Sequence, residues 1–463
     1  MSELYTYKQL TASLPVHKHL PTTAAFSKVI DKAFDAAIIL DDDPTGTQTV
    51  YDIPVLTAWT IEAISKELES GSKLFYILTN SRSLTSDQAE KIGLKIAQNI
   101  KTAADALNKK TLVISRSDST LRGHYPLEID LLIDTFQPKR AIHFIIPAFF
   151  EGGRYTIEDV HFVKEGENMI PVAETPFAQD KVFGYQSSNL IEWCKEKFNK
   201  QIQDVSIHSL SLNELRSSSD QALITKLNSF SSGDVCIVNA AGYDDLKKAL
   251  FTILSSDIDP LFRSAASLVA ALAQQKSKFV NSKELKLDKT RGGVIVLGSY
   301  VPKSSSQLQH VFDHLDLEKI KVDVHQLLEG NAPSPREIAT QIDQLVVAGK
   351  HTIVYTSRTL ISTTSAAKNL DIGSTVSTYL TDIVLAMEET PRYIVGKGGI
   401  TSSDLATKSL QIQRAIVAGQ MIPGVPVWKT QSESKFPGVP FIIYPGNVGD
   451  ESGLTQVINI LNA

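Results

Sequence analysis

The sequence predicts an α/β protein of two domains, each with a mostly parallel sheet flanked by helices. Three observations lead there. Short, continuous apolar runs alternate with amphipathic helical patterns. At 463 residues the chain is too long for one hydrophobic core. A polar, lysine-rich stretch, AQQKSKFVNSKELKLDKTR, separates two series of such runs and ends in a fresh strand pattern.

The expected strands are Ala36–Leu40, Leu74–Leu78, Thr111–Ile114, Ile142–Ile146 and Val235–Val238, then Val294–Leu297, Thr352–Tyr355, Tyr393–Val395 and Phe441–Tyr444. Their residues are apolar throughout rather than alternating, as in strands covered on both faces. Between them, Ile92, Ile96 and Ile100 recur four apart on one helical face, and Thr85 with Gln88 forms a capping box at that helix's start. Ser304 and Gln307 repeat the device ahead of Leu308, Val311 and Leu315. Residues 149–180 read as long loops or short antiparallel pieces. The expected domains are 1–280 and 285–463.

Composition excludes several function classes. The chain is 42% hydrophobic and 21% charged, ordinary for a globular protein, and its net charge of −5 gives no drive toward nucleic acid or an anionic membrane. No apolar run approaches the roughly 20 residues of a membrane helix. The start, MSELYTYKQL, lacks the basic and apolar regions of a secretory signal, and Cys194 and Cys236 have no metal or redox spacing. A cytoplasmic protein with reduced thiols is expected.

Chemistry is to be sought just after the strands, because ligands collect at the carboxyl ends of open α/β sheets. In the first half these ends are DDDPTG, TNSRS, SRSDSTLRGH and PAFFEGGR. They assemble Arg82, Arg116, Arg122 and Arg154 with Asp42, Asp43 and Asp118. Arginines suit a carboxylate or phosphate, and aspartates suit hydroxyls and a proton acceptor. A small polyol acid fits the mixture. In the second half the ends are glycine turns opening helices: VLGSYVPKSSS, VGKGGITSSD and YPGNVGDE. Free backbone N–H groups at such turns form anion sites, and Lys397 adds a point charge. Neither turn is a standard motif. Thr401 stands where a dinucleotide fingerprint needs its third glycine, and Pro302 stands where a Walker A loop needs glycine before lysine. His124, beside the RGH turn, is placed to touch a ligand; His143, in an apolar run, reads as core. No histidines or cysteines have metal-ligand spacing.

Together these segments resemble the four-carbon acid sugar kinase family. DDDPTG resembles its Asp-Asp-x-Thr-Gly turn, SRSDSTLRGH its Asp-Ser-Thr-Leu-Arg-Gly segment, and PAFFEGGR its Pro-Ala-x-x-x-x-Gly-Arg segment. VLGSYVPKSSSQL, YTSR, GKGGITSSDLATKSL, PGVPVW and PGNVGDESGL have counterparts in its second half, so the likeness runs from Asp41 to Leu454. It implies an ATP- and Mg²⁺-dependent kinase acting on a tetronate or 3-oxo-tetronate, with the reaction in an interdomain cleft. It implies substrate contacts at Asp43, Arg82, Arg116, Asp118 and Ser119, beside which Asp42, Thr120 and Arg122 are further candidates. It implies nucleotide contacts at Ser299, Lys397, Gly398, Gly399, Ile400, Thr401, Gly446 and Asn447. Arg82 and Arg116 would hold the substrate carboxylate, and Asp43 or Asp118 would accept the proton. Pro44 and Thr47-Gln48-Thr49 depart from the family pattern, which leaves the particular acid open. A homodimer is compatible with this reading. The competing classes are a non-catalytic sugar-acid sensor and an NAD(P)-dependent oxidoreductase, for which the fingerprint is incomplete.

Overall fold

A computed structural model describes residues 5–198, 205–299, 301–357, 366–446 and 448–463. The chain forms two compact units, Met1–Thr49 with Ala58–Lys276, and Val50–Thr57 with Ser277–Ala463.

The first unit is built on seven parallel strands in the order Ile207–Leu210, Val235–Val238, Ala141–Ile146, Asp259–Ser264, Thr111–Arg116, Ala36–Asp41, Leu74–Leu78. Ile38, Ile39, Phe75, Ile77, Ile114, Phe144 and Ile237 are fully buried, as the continuous apolar runs require. Helix Ser86–Ala106 buries Ile96 and Ile100 and begins at the Thr85 cap, with Gln88 completing the box. After Ala36–Asp41 the chain forms the strand on one side, Leu74–Leu78, then crosses to the other side for Thr111–Arg116. That reversal makes the carboxyl ends of these strands the topological switch point, where open sheets hold ligands. Residues 149–180 contain three short antiparallel strands, Arg154–Ile157, Val160–Glu165 and Asn168–Pro171, joined at one edge by Tyr5–Thr6.

In the second unit Glu318–Val322, Thr352–Thr356, Val294–Leu297, Ile394–Lys397 and Pro440–Tyr444 are parallel neighbours in that order. Three antiparallel strands follow, Pro426–Thr430, Arg414–Gln420 and Pro54–Leu56. Here the switch point lies between Val294–Leu297 and Ile394–Lys397, because the chain fills one side of the first strand before crossing to the other.

Two expectations are corrected. Residues 50–57 were placed in the first domain; Pro54–Leu56 pairs with Arg414–Ile416 and belongs to the second unit. Ser304 and Gln307 do not cap their helix, which starts at Pro302; fixed φ and a missing N–H suit proline to that first position. Both side chains are buried and bind neighbouring turns instead. His143 is core, as read, but neither ring nitrogen has a hydrogen-bond partner, and burial pushes its pKa down to about 4. Both cysteines are buried thiols. Among the described residues no helix is long and apolar enough to cross a membrane.

Candidate functional site

Three adjacent strands of the first unit end in charge. Ala36–Asp41 delivers Asp41, Asp42 and Asp43, the turn after Leu74–Leu78 delivers Arg82, and Thr111–Arg116 delivers Arg116 and then Asp118. Adjacent carboxylates repel and lose hydration on burial, so each needs a cation at close range. Arg82 supplies most of this. One guanidinium nitrogen lies 2.7 Å from Asp43 and 3.5 Å from Asp42, and the other 3.2 Å from Asp118. Arg116 sits 3.2 Å from Asp41 and 3.9 Å from Asp42. Arg122 donates through Nε to Asp118 at 2.7 Å, and Thr120 donates its hydroxyl to the same oxygen.

Protonation follows from these partners. Burial pushes Asp41 up to about 8, although Arg116 pulls against it. Burial likewise lifts Asp42 to about 6, opposed by Arg82. Burial acts the same way on Asp43, but Arg82 and hydrogen bonds from Thr45 outweigh it and hold that carboxyl below its usual range. Asp118 is driven well down, burial being overcome by Arg122 and Arg82. Two carboxylates therefore stay ionised beside two that resist ionisation.

Access separates them further. Asp43 keeps 21% of its side chain exposed, against 2% for Asp42. The two arginines expected to clamp a carboxylate differ in the same way, Arg82 being 17% exposed. Arg116 is 3% exposed and lies within 4.0 Å of both Asp41 and Asp42. The loop that carries Asp118 is tied down by close packing and hydrogen bonds. Gly123 adopts φ +124, and a Cβ there would lie 2.4 Å from the Ser117 hydroxyl, which donates to Asp42 at 2.9 Å. The Ser119 carbonyl lies 2.7 Å from His161 Nε2, and the Thr120 carbonyl accepts from Tyr185 at 2.7 Å. His124 binds the Ser81 carbonyl at 3.0 Å and is buried.

Arg263 was missed from the sequence. Wholly buried, it donates to the Asp118 and Arg122 carbonyls, both at 3.1 Å, and stacks on Trp193. Its strand, DPLFRS, is short and opens with Asp-Pro, which hides the run; an arginine inside an apolar stretch is the signal that marks it.

The second unit gathers its predicted residues without fixed charge. Gly298-Ser299, Gly398–Thr401 and Gly446 follow three neighbouring strands. A Cβ on Gly298 would lie 2.6 Å from the Thr401 hydroxyl, and one on Gly398, at φ +118, 3.2 Å from Ser299 Cβ. The Ser304 hydroxyl donates to the Gly446 carbonyl at 3.3 Å and lies 3.1 Å from Ser299 Oγ, tying two turns together. Gly399 opens the short helix Gly399–Asp404; Ile400 is 63% exposed. Asn447 lies outside the described residues. Lys397, expected as a point charge beside phosphate, has backbone partners. It is fully buried, its ammonium donates to the Pro445 and Gly446 carbonyls at 2.8 and 3.1 Å, and burial, with repulsion from Lys303, pushes it down to about 7. It shapes the Gly446 turn rather than reaching past it. Glycine at 398, 399 and 446 carries no side chain, so an anion can approach the backbone closely at those positions. Among the described residues no group of three or more His, Cys, Asp or Glu is arranged to hold a metal ion.

Comparison with known proteins agrees with this division. A sugar-binding N-terminal domain family matches residues 37–272, and a nucleotide-binding C-terminal domain family matches 294–454. A D-erythronate kinase of Heliobacterium modesticaldum is 30% identical over 151 residues, 31% of this chain; the match spans about a third of that relative, 32% of its length. Crystal structures of a Haemophilus influenzae protein (TM-score 0.61, 16% identity, 92% of this chain and 100% of that one) and a Salmonella typhimurium protein (TM-score 0.64, 16% identity, 91% and 98%) share the fold. With its sugar-binding domain followed by a nucleotide-binding domain, the chain belongs to the four-carbon acid sugar kinase family.

Proposed function

We propose that the protein transfers the terminal phosphoryl group of ATP to a hydroxyl of a four-carbon sugar acid. The observation that carries this is the ionic cluster at the first unit's switch point, where Asp43 alone of the three consecutive aspartates is both ionised and accessible. Phosphoryl transfer asks little covalent chemistry of a protein; it needs a hydroxyl held in line and charge stabilised on the phosphates.

Asp43 accepts the proton of the attacking hydroxyl. The Thr45 N–H, 2.8 Å from one Asp43 oxygen, and Arg82 on the other fix the carboxylate's direction. Asp118, committed to Arg82, Arg122 and Thr120, orients the polyol and the arginines rather than taking a proton. The glycine and serine turns of the second unit hold the nucleotide phosphates through backbone N–H groups and the Ser299 and Thr401 hydroxyls. Mg²⁺, if bound with the nucleotide, would be held mainly by phosphate oxygens and water and would neutralise phosphate charge.

The test is an ADP-release assay across four-carbon sugar acids, with water and neutral polyols as controls. Release that depends on one acid supports the reading. Binding of acid and nucleotide without release leaves a sensor, and reduction of NAD(P) on addition of an acid makes it an oxidoreductase.

A further inference from the structure

Of the arginines around the cluster, Arg154 and Arg263 have no carboxylate within 4.0 Å among the described residues, but Arg263 is wholly buried and bound to the Asp118 and Arg122 carbonyls, which leaves Arg154 as the less buried of the two. Arg82, Arg116 and Arg122 each lie within 4.0 Å of one or more aspartates. Among the described residues no carboxylate comes that close to Arg154. Its Nη1 donates to the Gly152 carbonyl, in its own turn, and its Nε is buried with no partner. Burial lowers its pKa, and the more distant Asp118 and Glu165 only partly offset that.

Its position is fixed. Residues 149–154 form a tight turn just beyond strand Ala141–Ile146, closed by hydrogen bonds between Phe149 and Arg154 at 2.8 and 3.2 Å. The guanidinium lies 6.0 Å from the Phe149 ring and 5.9 Å from that of Phe177; Arg122, which holds Asp118, lies 5.1 Å from the same Phe177 ring. The two arginines thus border one apolar surface on the carboxyl-end side of the sheet. A partly buried, unpaired guanidinium against aromatic walls gains strongly from a planar anion, because water competes weakly there and the fork binds two oxygens.

We propose that Arg154 is the specificity-determining residue that binds the substrate's carboxylate. This rests on the sugar-acid reading above and takes the carboxylate role expected of Arg116. The remaining hydroxyls then extend toward Asp118 and Asp43.

The experiment is calorimetric titration of wild type, Arg154→Ala and Arg154→Lys with D-erythronate, the neutral erythritol and a non-hydrolysable ATP analogue, with steady-state kinetics on the same proteins. Arg154→Ala is expected to weaken erythronate binding at least tenfold and to raise its KM by a similar factor. Nucleotide affinity and Tm should hold, the preference for erythronate over erythritol should shrink by the same factor, and Arg154→Lys should recover part of the loss. Unchanged erythronate affinity, or a parallel loss for erythritol, overturns the assignment. Binding needs no turnover, so wild type that binds erythronate without releasing ADP defeats the kinase reading and leaves this test intact. Wild type that binds no four-carbon acid defeats both.

Discussion

The two switch points solve opposite problems with opposite materials. In the first unit the ends of three neighbouring strands carry aspartates and arginines packed within 4 Å of one another. In the second, the ends of three neighbouring strands carry glycine, serine and threonine, and the nearby lysine is spent on backbone carbonyls. Fixed, paired charges discriminate among hydroxyls by geometry, at the cost of desolvation. Backbone N–H groups take any phosphate chain and need only close approach. The first arrangement suits a small, variable substrate and the second a constant one.

The comparison can be broken most forcefully at Asp43. Asp43→Asn keeps the Thr45 contact but removes the proton acceptor, so kcat should fall by about 10²- to 10⁴-fold with little change in Tm. Asp118→Asn should lose less in kcat and more in acid affinity; the reverse ranking would exchange the two roles. Gly398→Val is next. Its φ of +118 disfavours a side chain, and Cβ would meet Ser299 and Thr401. Nucleotide affinity should drop at least tenfold while acid binding is retained, and unchanged nucleotide titration would remove that turn from the site.

A subtler effect separates the units by pH. Asp41 has its folded pKa raised to about 8 by burial, so the folded state holds a proton that the unfolded chain releases near its usual carboxylate range. Its stabilising contribution is full below that range and is lost as pH rises through about 8. Asp41→Asn should flatten the fall in Tm between pH 5 and 8, and parallel curves for wild type and variant would contradict the assignment. Smallest is the helix cap: Thr85→Ala should cost about 1 kcal/mol in denaturant unfolding, without effect on either ligand.

Much of this was legible in the sequence for a physical reason. Strands buried on both faces leave continuous apolar runs, and strand-end residues follow directly in the chain, so DDDPTG and SRSDSTLRGH announced the cluster. What stayed hidden depended on partners distant in sequence. Glu318–Val322 alternates buried and exposed residues at a sheet edge, and Pro54–Leu56 is too short to read without Arg414–Ile416 beside it. Lys397 and Arg116 look like ligand-binding cations because composition cannot reveal that Pro445 and Asp41 already occupy them. Arg154 differs from Arg82, Arg116 and Arg122 in having no carboxylate within 4.0 Å among the described residues; its Nη1 binds the Gly152 carbonyl.

Hydrogen exchange read by mass spectrometry, with D-erythronate alone and with an ATP analogue alone, tests the division of labour most directly. The acid should slow exchange at 41–46, 79–83 and 116–124 and leave 298–299, 398–401 and 446 unchanged, while the nucleotide does the converse. Protection of the glycine turns by the acid, or of the aspartate cluster by the nucleotide, would contradict it.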